Sequence, residues 1–364
     1  GRHDEATLPA GPSSEDYYPA VAMTQLVRIL GDGSLGGLHM MAVEAIVNIF
    51  RSLGLRCAPH LPSVMPPTLG LARSSQPGLR EFLFQKLAVL VGVVRQHIRP
   101  YLQDILALVH EHWSVPGEAG PSAGGTGGAH GGGGASGGLG HNSPASPASP
   151  RGMPSSPGGA AGAAADKQQQ QLLLQILELI DAISLSIRDE FRPFIPPLMP
   201  RLLAALGPEA ARRAPLAALA ALRSVQRLDA GVEPYLYMVV PAVMQLVDRG
   251  ELRPDVRAAG AAWVATSCRR LHLAPFAGRI VHPLARALED LPVSTSSGSG
   301  SGGSGFGGGE SLPRAAVRAL TALAGVMGRD YLLYAPLVGR IMSRRRIIDP
   351  RYEEALRRAR AADG

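Results

Sequence analysis

The sequence predicts an all-α solenoid of about six to seven stacked helical hairpins. Three observations carry that expectation: a ring that recurs every 41 residues, apolar stripes at three- and four-residue steps on either side of it, and a composition that is 46% apolar but only 5% aromatic. The ring falls at His60, Tyr101, Phe194, Tyr235, Phe276 and Tyr334, each preceded by proline except the last, where Leu333 stands instead. Successive intervals are 41, 93, 41, 41 and 58 residues, and the two long ones exceed the period by 52 and 17. Each long interval contains one glycine-rich stretch of about that length, so removing it restores the period.

A fixed period of about 40 to 47 residues with two helical patterns per unit marks a HEAT or armadillo array. Taken in order, Tyr17-Tyr18-Pro19 followed by Ala20 to Leu30 reads as the second helix of an incomplete unit. In the unit around Tyr101, the residues Phe82, Leu83, Leu87, Leu90, Val91 and Val94 share one helical stripe. Ile98, Tyr101, Leu102, Ile105, Leu106 and Val109 share the next, with Phe82, Leu87, Tyr101 and Ile105 expected in the core. Pro100, and likewise Pro193, Pro234 and Pro275, sits where a helix start tolerates a missing N–H. Leu173, Ile176, Leu177, Ile180, Ile183 and Ile187 form the first stripe of a later unit, and Leu216, Leu219, Leu222 and Val225 that of the next. Pro66, Pro200 and Pro241, six residues after the ring, are expected to kink the second helix or delay its start. Tyr352 to Ala362 reads as the opening of one more unit. One hairpin cannot bury both its stripes, so neighbours must stack into a continuous core.

The expected organisation is HEAT repeats over 1–115, a disordered Gly/Ser/Pro insertion over 116–165, repeats over 166–293, a second disordered insertion over 294–309, and a final repeat with the start of another over 310–364. Ser143-Pro144, Ser146-Pro147, Ser149-Pro150 and Ser156-Pro157 match proline-directed kinase sites, although disorder alone supplies such dipeptides, which is the preferred reading. Cys57 and Cys268 lie in different units, so no disulfide framework is expected and a reducing compartment is favoured. No apolar run reaches the roughly eighteen residues of a membrane span. The expected location is cytoplasmic, or peripheral to endomembranes as part of a complex. The chain starts at Gly1 within a pattern and stops just after a helix begins, which is expected of a piece of a longer protein.

Several strings are recognisable in detail. Ala45-Ile46-Val47-Asn48-Ile49-Phe50-Arg51-Ser52-Leu53-Gly54-Leu55-Arg56-Cys57, Arg80-Glu81-Phe82-Leu83-Phe84-Gln85-Lys86-Leu87 and His97-Ile98-Arg99-Pro100-Tyr101 resemble the central HEAT region of the target-of-rapamycin (TOR) kinases. So do Arg279-Ile280-Val281-His282-Pro283, Arg344-Arg345-Arg346-Ile347 and Arg351-Tyr352. The resemblance is specific by order and length, not by any catalytic signature, and the two insertions depart from it. It implies a part of a large serine/threonine kinase of the phosphatidylinositol-3-kinase-related family, whose ATP and magnesium belong to a C-terminal catalytic domain outside this segment. It further implies protein partners, namely a raptor-like subunit and a second TOR protomer, in growth and nutrient signalling. A free-standing HEAT adaptor that binds proteins or peptides on its concave face is the alternative.

Chemistry is not expected in the chain itself: no catalytic, cofactor-binding or metal-binding residue is assigned. Gly31-Asp32-Gly33-Ser34-Leu35-Gly36 fits a dinucleotide glycine pattern, but a helical pattern rather than a strand feeds it, so it reads as an inter-helix turn. No kinase catalytic loop or phosphate cradle is present. His110-Glu111-His112 points its side chains about 100° apart along a helix and cannot share one metal, and His272 and His282 lack partners at ligand spacing. The net charge of +7 rests partly on Arg340, Arg344, Arg345, Arg346, Arg351, Arg357, Arg358 and Arg360. Without interleaved aromatics beyond Tyr352, these are read as a solvated or acid-binding face rather than a nucleic-acid site.

Overall fold

The computed structural model describes residues 17–114, 158–290 and 310–361, with the backbone alone for 158–163. Its helices are α1 (Tyr17–Gly31), α2 (His39–Leu53), α3 (Leu61–Ser74), α4 (Pro77–Val94), α5 (Leu102–His112), α6 (Gly158–Ile187), α7 (Ile195–Ala205), α8 (Pro208–Arg213), α9 (Pro215–Arg227), α10 (Leu236–Asp248), α11 (Pro254–Ser267), α12 (Ala277–Glu289), α13 (Leu312–Met327), α14 (Ala335–Arg344) and α15 (Pro350–Ala361). Among the described residues there is no strand.

The helices sort into two rows. α2, α4, α6, α9, α11, α13 and α15 touch one another in that order. α1, α3 and α5 begin the second row, and α7, α10, α12 and α14 continue it, with His110 of α5 facing Arg201 of α7. Among the described residues this gives six complete hairpins flanked by two single helices. One core runs from Met23 to Tyr352, filled by Leu, Val, Ile and Ala. It is an all-α HEAT-type solenoid, as the period predicts.

Short 3-10 segments join the two helices of each hairpin: Gly54–His60, Arg95–Tyr101, Arg188–Phe194, Asp229–Tyr235, Ala274–Phe276 and Gly328–Leu333. The period is written into their geometry twice. Six residues before the ring, Gly54, Arg95, Arg188, Asp229 and Gly328 all adopt positive φ, between 46° and 58°. Three residues before it, Cys57, Ile98, Phe191, Val232, Leu273 and Tyr331 are each at most 2% exposed. The rings themselves are half-buried at all six positions. They cover the edge of the core, while the side chain three residues earlier plugs it. Leu87 and Ile105 are fully enclosed as expected. Phe82 and Tyr101 are only half-buried, and the Lys86 ammonium lies 5.0 Å above the Phe82 ring.

Three sequence expectations need correction. Pro66, Pro200 and Pro241 do not delay their helices, because α3, α7 and α10 start five residues earlier and run through them. Helix α6 begins at Gly158, so the region expected as an insertion up to residue 165 is helical from there on; the run from Ala160 to Ala165 has high helix propensity despite Gly162. The rest of both insertions, with the Ser-Pro dipeptides, lies outside the described residues. Finally, Gly33–Ser74, Ala164–Ala205 and Asp229–Asp248 are long and apolar enough, by length and composition, to cross a membrane. The first two each turn at a positive-φ residue, Gly54 and Arg188. In the third, helix α10 itself has 13 residues, about 20 Å against a hydrocarbon core of about 30 Å.

Arginines clamp two joints between successive hairpins. Arg80 of α4 donates from Nε to the Ala72 carbonyl at 3.2 Å and from Nη2 to the Ser75 carbonyl at 2.6 Å, covering orphan acceptors at the end of α3. Arg257 of α11 donates from Nε to the Val247 carbonyl of α10 at 2.9 Å, with the Asp290 carboxylate 3.8 Å from its Nη2.

Candidate interaction surface

Among the described residues, two of the grooves in the helical surface lie between successive hairpins. The larger, of 480 Å³, lies on the first row over α9, with α6 and α11 as its walls. Alanines at 217, 218, 220 and 221 are all buried along α9, which gives that helix little side-chain bulk on its packed faces. Leu216, Leu219 and Leu222 line the floor, Leu174 and Trp263 the walls, and Glu178, Arg223 and Gln226 the polar edge. One turn beyond Glu178, Asp181 of α6 is 8% exposed and accepts from Nη1 of Arg227 on α9 at 2.7 Å. Burial holds the Asp181 carboxyl above the usual carboxylate range, although the Ser224 hydroxyl and the Arg227 and Arg223 guanidiniums pull the other way. The ion pair and the upward shift point in opposite senses. The shift decides the balance, since the acid is enclosed while Arg227 remains 41% exposed and is answered by water as well.

The smaller groove, of 320 Å³, lies on the second row between α12 and α14. Ala285, Leu337 and Ile341 form its floor, and His282, Arg286 and Glu289 its rim. His282 packs edge-on against Tyr334 at 6.3 Å. Arg286 reaches back to Asp248 of α10 at 3.1 Å, and Arg344 of α14 reaches Glu289 at 3.5 Å.

These surfaces belong to a chain whose relatives are identifiable. The family described as "Serine/threonine-protein kinase mTOR domain" matches residues 2–95. "Serine/threonine-protein kinase mTor" of Drosophila melanogaster is 28% identical over 352 residues, which is 97% of this chain and 11% of that protein. The TOR kinase of Arabidopsis thaliana is 27% identical over 95% of this chain and 11% of its own length. That of Oryza sativa is 50% identical over 107 residues, covering 29% of this chain and 4% of the rice protein. Along nearly its whole length the chain is similar in sequence to TOR kinases. It spans about a tenth of the length of its fly and Arabidopsis relatives. Among solved structures it is similar to Kap95p in a study of RanGDP, with TM-score 0.57 and 12% identity over 95% of this chain and 36% of that one. Importin beta gives TM-score 0.53 and 12% identity over 94% and 37%. At that identity the likeness is one of fold.

The residues weighed for chemistry fall apart in this TOR-type solenoid. The Gly31 to Gly36 string bridges α1 and α2, and Asp32 caps the turn by accepting from the Ser34 N–H at 2.9 Å. His112 packs edge-on against Phe84 at 6.2 Å, and Glu111 pairs with Arg73 at 3.5 Å. Burial, and then nearby arginines, lower the pKa of both His110 and His112. Among the described residues no group of three His, Cys, Asp or Glu is placed to hold a metal ion. Cys57 and Cys268 are free and buried; burial raises their thiols to about 11 and about 12, which keeps them unreactive. What sequence reasoning missed are the clamps and grooves, because their members come from different units. The Pro-x-x-Arg spacing at Pro77 to Arg80 and Pro254 to Arg257 is the signal that marks the clamps.

Proposed function

We propose that this chain is a scaffold segment of a TOR-like serine/threonine kinase, supporting complex assembly, dimerisation and partner binding, with no catalysis of its own. The observation that carries the reading is homology to TOR kinases along nearly the whole solenoid, whereas the importin likeness goes no further than the fold. A stack of hairpins with large helical faces and two grooves suits protein contacts. ATP and magnesium are then cofactors of a catalytic domain elsewhere in the parent kinase. The partners follow from the relationship: a raptor-like subunit and a second TOR protomer. The segment works in the cytoplasm, or at endomembranes as part of the complex.

Expression of the tagged chain in cells tests this. It should co-purify with the raptor-like subunit or with TOR kinase itself, and the purified chain should give a flat calorimetric trace with Mg-ATP. A chain that elutes as a lone monomer and captures neither partner, or that binds Mg-ATP saturably at micromolar concentration, contradicts the reading.

A further inference from the structure

The groove between α12 and α14 has an apolar floor, and the two helices that form it carry two arginines with no acidic partner among the described residues. We propose that it docks an acidic amphipathic segment of a partner protein, an aliphatic side chain seated on Leu337 and carboxylates paired with Arg279 and Arg340. This deepens the scaffold reading and rests on it for the expectation that the occupant is a protein.

The charges converge through the stacking of units. Arg279, His282 and Arg286 lie at i, i+3 and i+7 of α12, on one stripe. Arg340 and Arg344 lie at i and i+4 of α14, which packs beside α12. Of the four arginines, Arg286 and Arg344 are answered by Asp248 and Glu289. Among the described residues, Arg279 and Arg340 have no acidic partner, and both are exposed. Arg279 stands one turn before the lining residue His282 and Arg340 one turn after the lining residue Leu337, so two uncompensated cations lie a helical turn from lining residues of a recess of 320 Å³, room for one or two aliphatic side chains.

The same details argue against other polyanions. Glu289 lines the groove and Asp248 sits beside Arg286, so an unbroken run of phosphates would pass two carboxylates, whereas a peptide can place its charges around them. The ring at hand, Tyr334, is half-buried and edge-on to His282, which leaves no open face on which bases could stack. A bilayer surface needs apolar side chains that protrude, but Ile341 is 3% exposed and Ala285 3%.

Fluorescence anisotropy on the full 364-residue chain tests the proposal. The probes are a labelled 16-residue amphipathic peptide with leucines on one stripe and glutamates flanking it, its Glu-to-Gln counterpart, a 20-nucleotide poly-U RNA, and phosphatidylserine vesicles. The acidic peptide should bind, and raising salt from low to several-fold physiological should weaken it on the order of tenfold. The Arg279→Glu/Arg340→Glu double variant should lose at least about tenfold in affinity with an unchanged melting temperature, since neither side chain is paired in the fold. Leu337→Ala should weaken the peptide while leaving its salt dependence intact. Equal binding of the Gln peptide, tighter binding of RNA or vesicles, or indifference to the double reversal would overturn the assignment. Loss of peptide binding by the double variant while it still captures the TOR partners supports the groove as a separate site. Failure of the wild-type peptide to bind while that capture persists removes this inference alone.

Discussion

Replacing Arg95 by glycine should stabilise the protein, although glycine usually does the opposite. Arg95 opens the link after α4 with φ 50° and ψ −120°. Gly54 and Gly328 hold the same place in their units at φ 58°, ψ −132° and φ 56°, ψ −123°. In all three the backbone N–H bonds the carbonyl four residues back, Val91, Phe50 and Ala324 respectively. The helix exit therefore dictates the conformation, and the side chain does not. A Cβ at these angles crowds its own backbone and costs roughly 1 to 3 kcal/mol. Removing it returns that energy less the added freedom of glycine in the unfolded chain, about 0.5 to 1 kcal/mol. The Arg95 side chain is exposed and makes no ion pair among the described residues, so little else changes. Arg95→Gly should thus gain about 0.5 to 2 kcal/mol in urea melts, with slower hydrogen exchange confined to the α4–α5 hairpin. Gly54→Ala is the mirror experiment. Its Cβ would meet nothing within 4 Å, so any loss, about 1 to 3 kcal/mol, is backbone strain alone. A destabilised Arg95→Gly, or a neutral Gly54→Ala, would refute the reasoning.

Leu87→Ala in the fully enclosed core of α4 should cost about 2 to 5 kcal/mol, with hydrogen exchange rising in that hairpin and its neighbours and fading beyond them. Gly260→Ala should cost about 1 to 3 kcal/mol despite alanine's helix propensity, because the new Cβ would lie 2.9 Å from Val247 Cγ2 and 3.4 Å from the Val243 carbonyl. The raised pKa of Asp181 means that ionising it opposes folding, so its contribution favours the fold at pH below its folded pKa and declines as pH rises through that value. Urea melts from pH 4 to 8 should show this decline in the wild type and lose it in Asp181→Asn, which should be as stable as the wild type or more so at pH 7. A marked loss of stability in Asp181→Asn at neutral pH would show the Arg227 pair to be net stabilising.

The sequence carried the fold far better than the surface. Period and stripe both report burial within a unit, and five of the six links make the same reversal at the same distance from the ring. The positive-φ residue escaped notice because arginine or aspartate occupies it at 95, 188 and 229, where sequence gives no hint of a left-handed backbone. The ring was a visible marker but a poor guide to depth, since the plugging residue three positions earlier varies from Cys57 to Tyr331. The absence of any assigned catalytic residue rests on motifs that are not there. The α12–α14 groove could not be read in advance, as its lining residues His282 and Leu337 belong to different units and only stacking brings their helices together. The C-terminal arginine run, read as a solvated or acid-binding face, is partly taken up in ion pairs, Arg358 with Glu354 at 3.0 Å and Arg344 with Glu289 at 3.5 Å.

The arginine clamps set how such a stack yields to force. Arg80 ties the hairpin α4–α5 to the end of α3, and Arg257 ties α11–α12 to the end of α10. A bolt that spans two hairpins resists their rotation about each other, because turning one lifts the guanidinium off helix-end carbonyls, of which that of Ala72 would keep only a long bond of 3.4 Å from the Ser75 hydroxyl. Bending would then fall on joints that lack such a bolt, although the one between α6 and α9 is held instead by the Arg227–Asp181 pair. In mechanical terms the two bolted joints should turn as units, and load along the stack should be taken up first at joints where no guanidinium ties one hairpin to a helix end of the next.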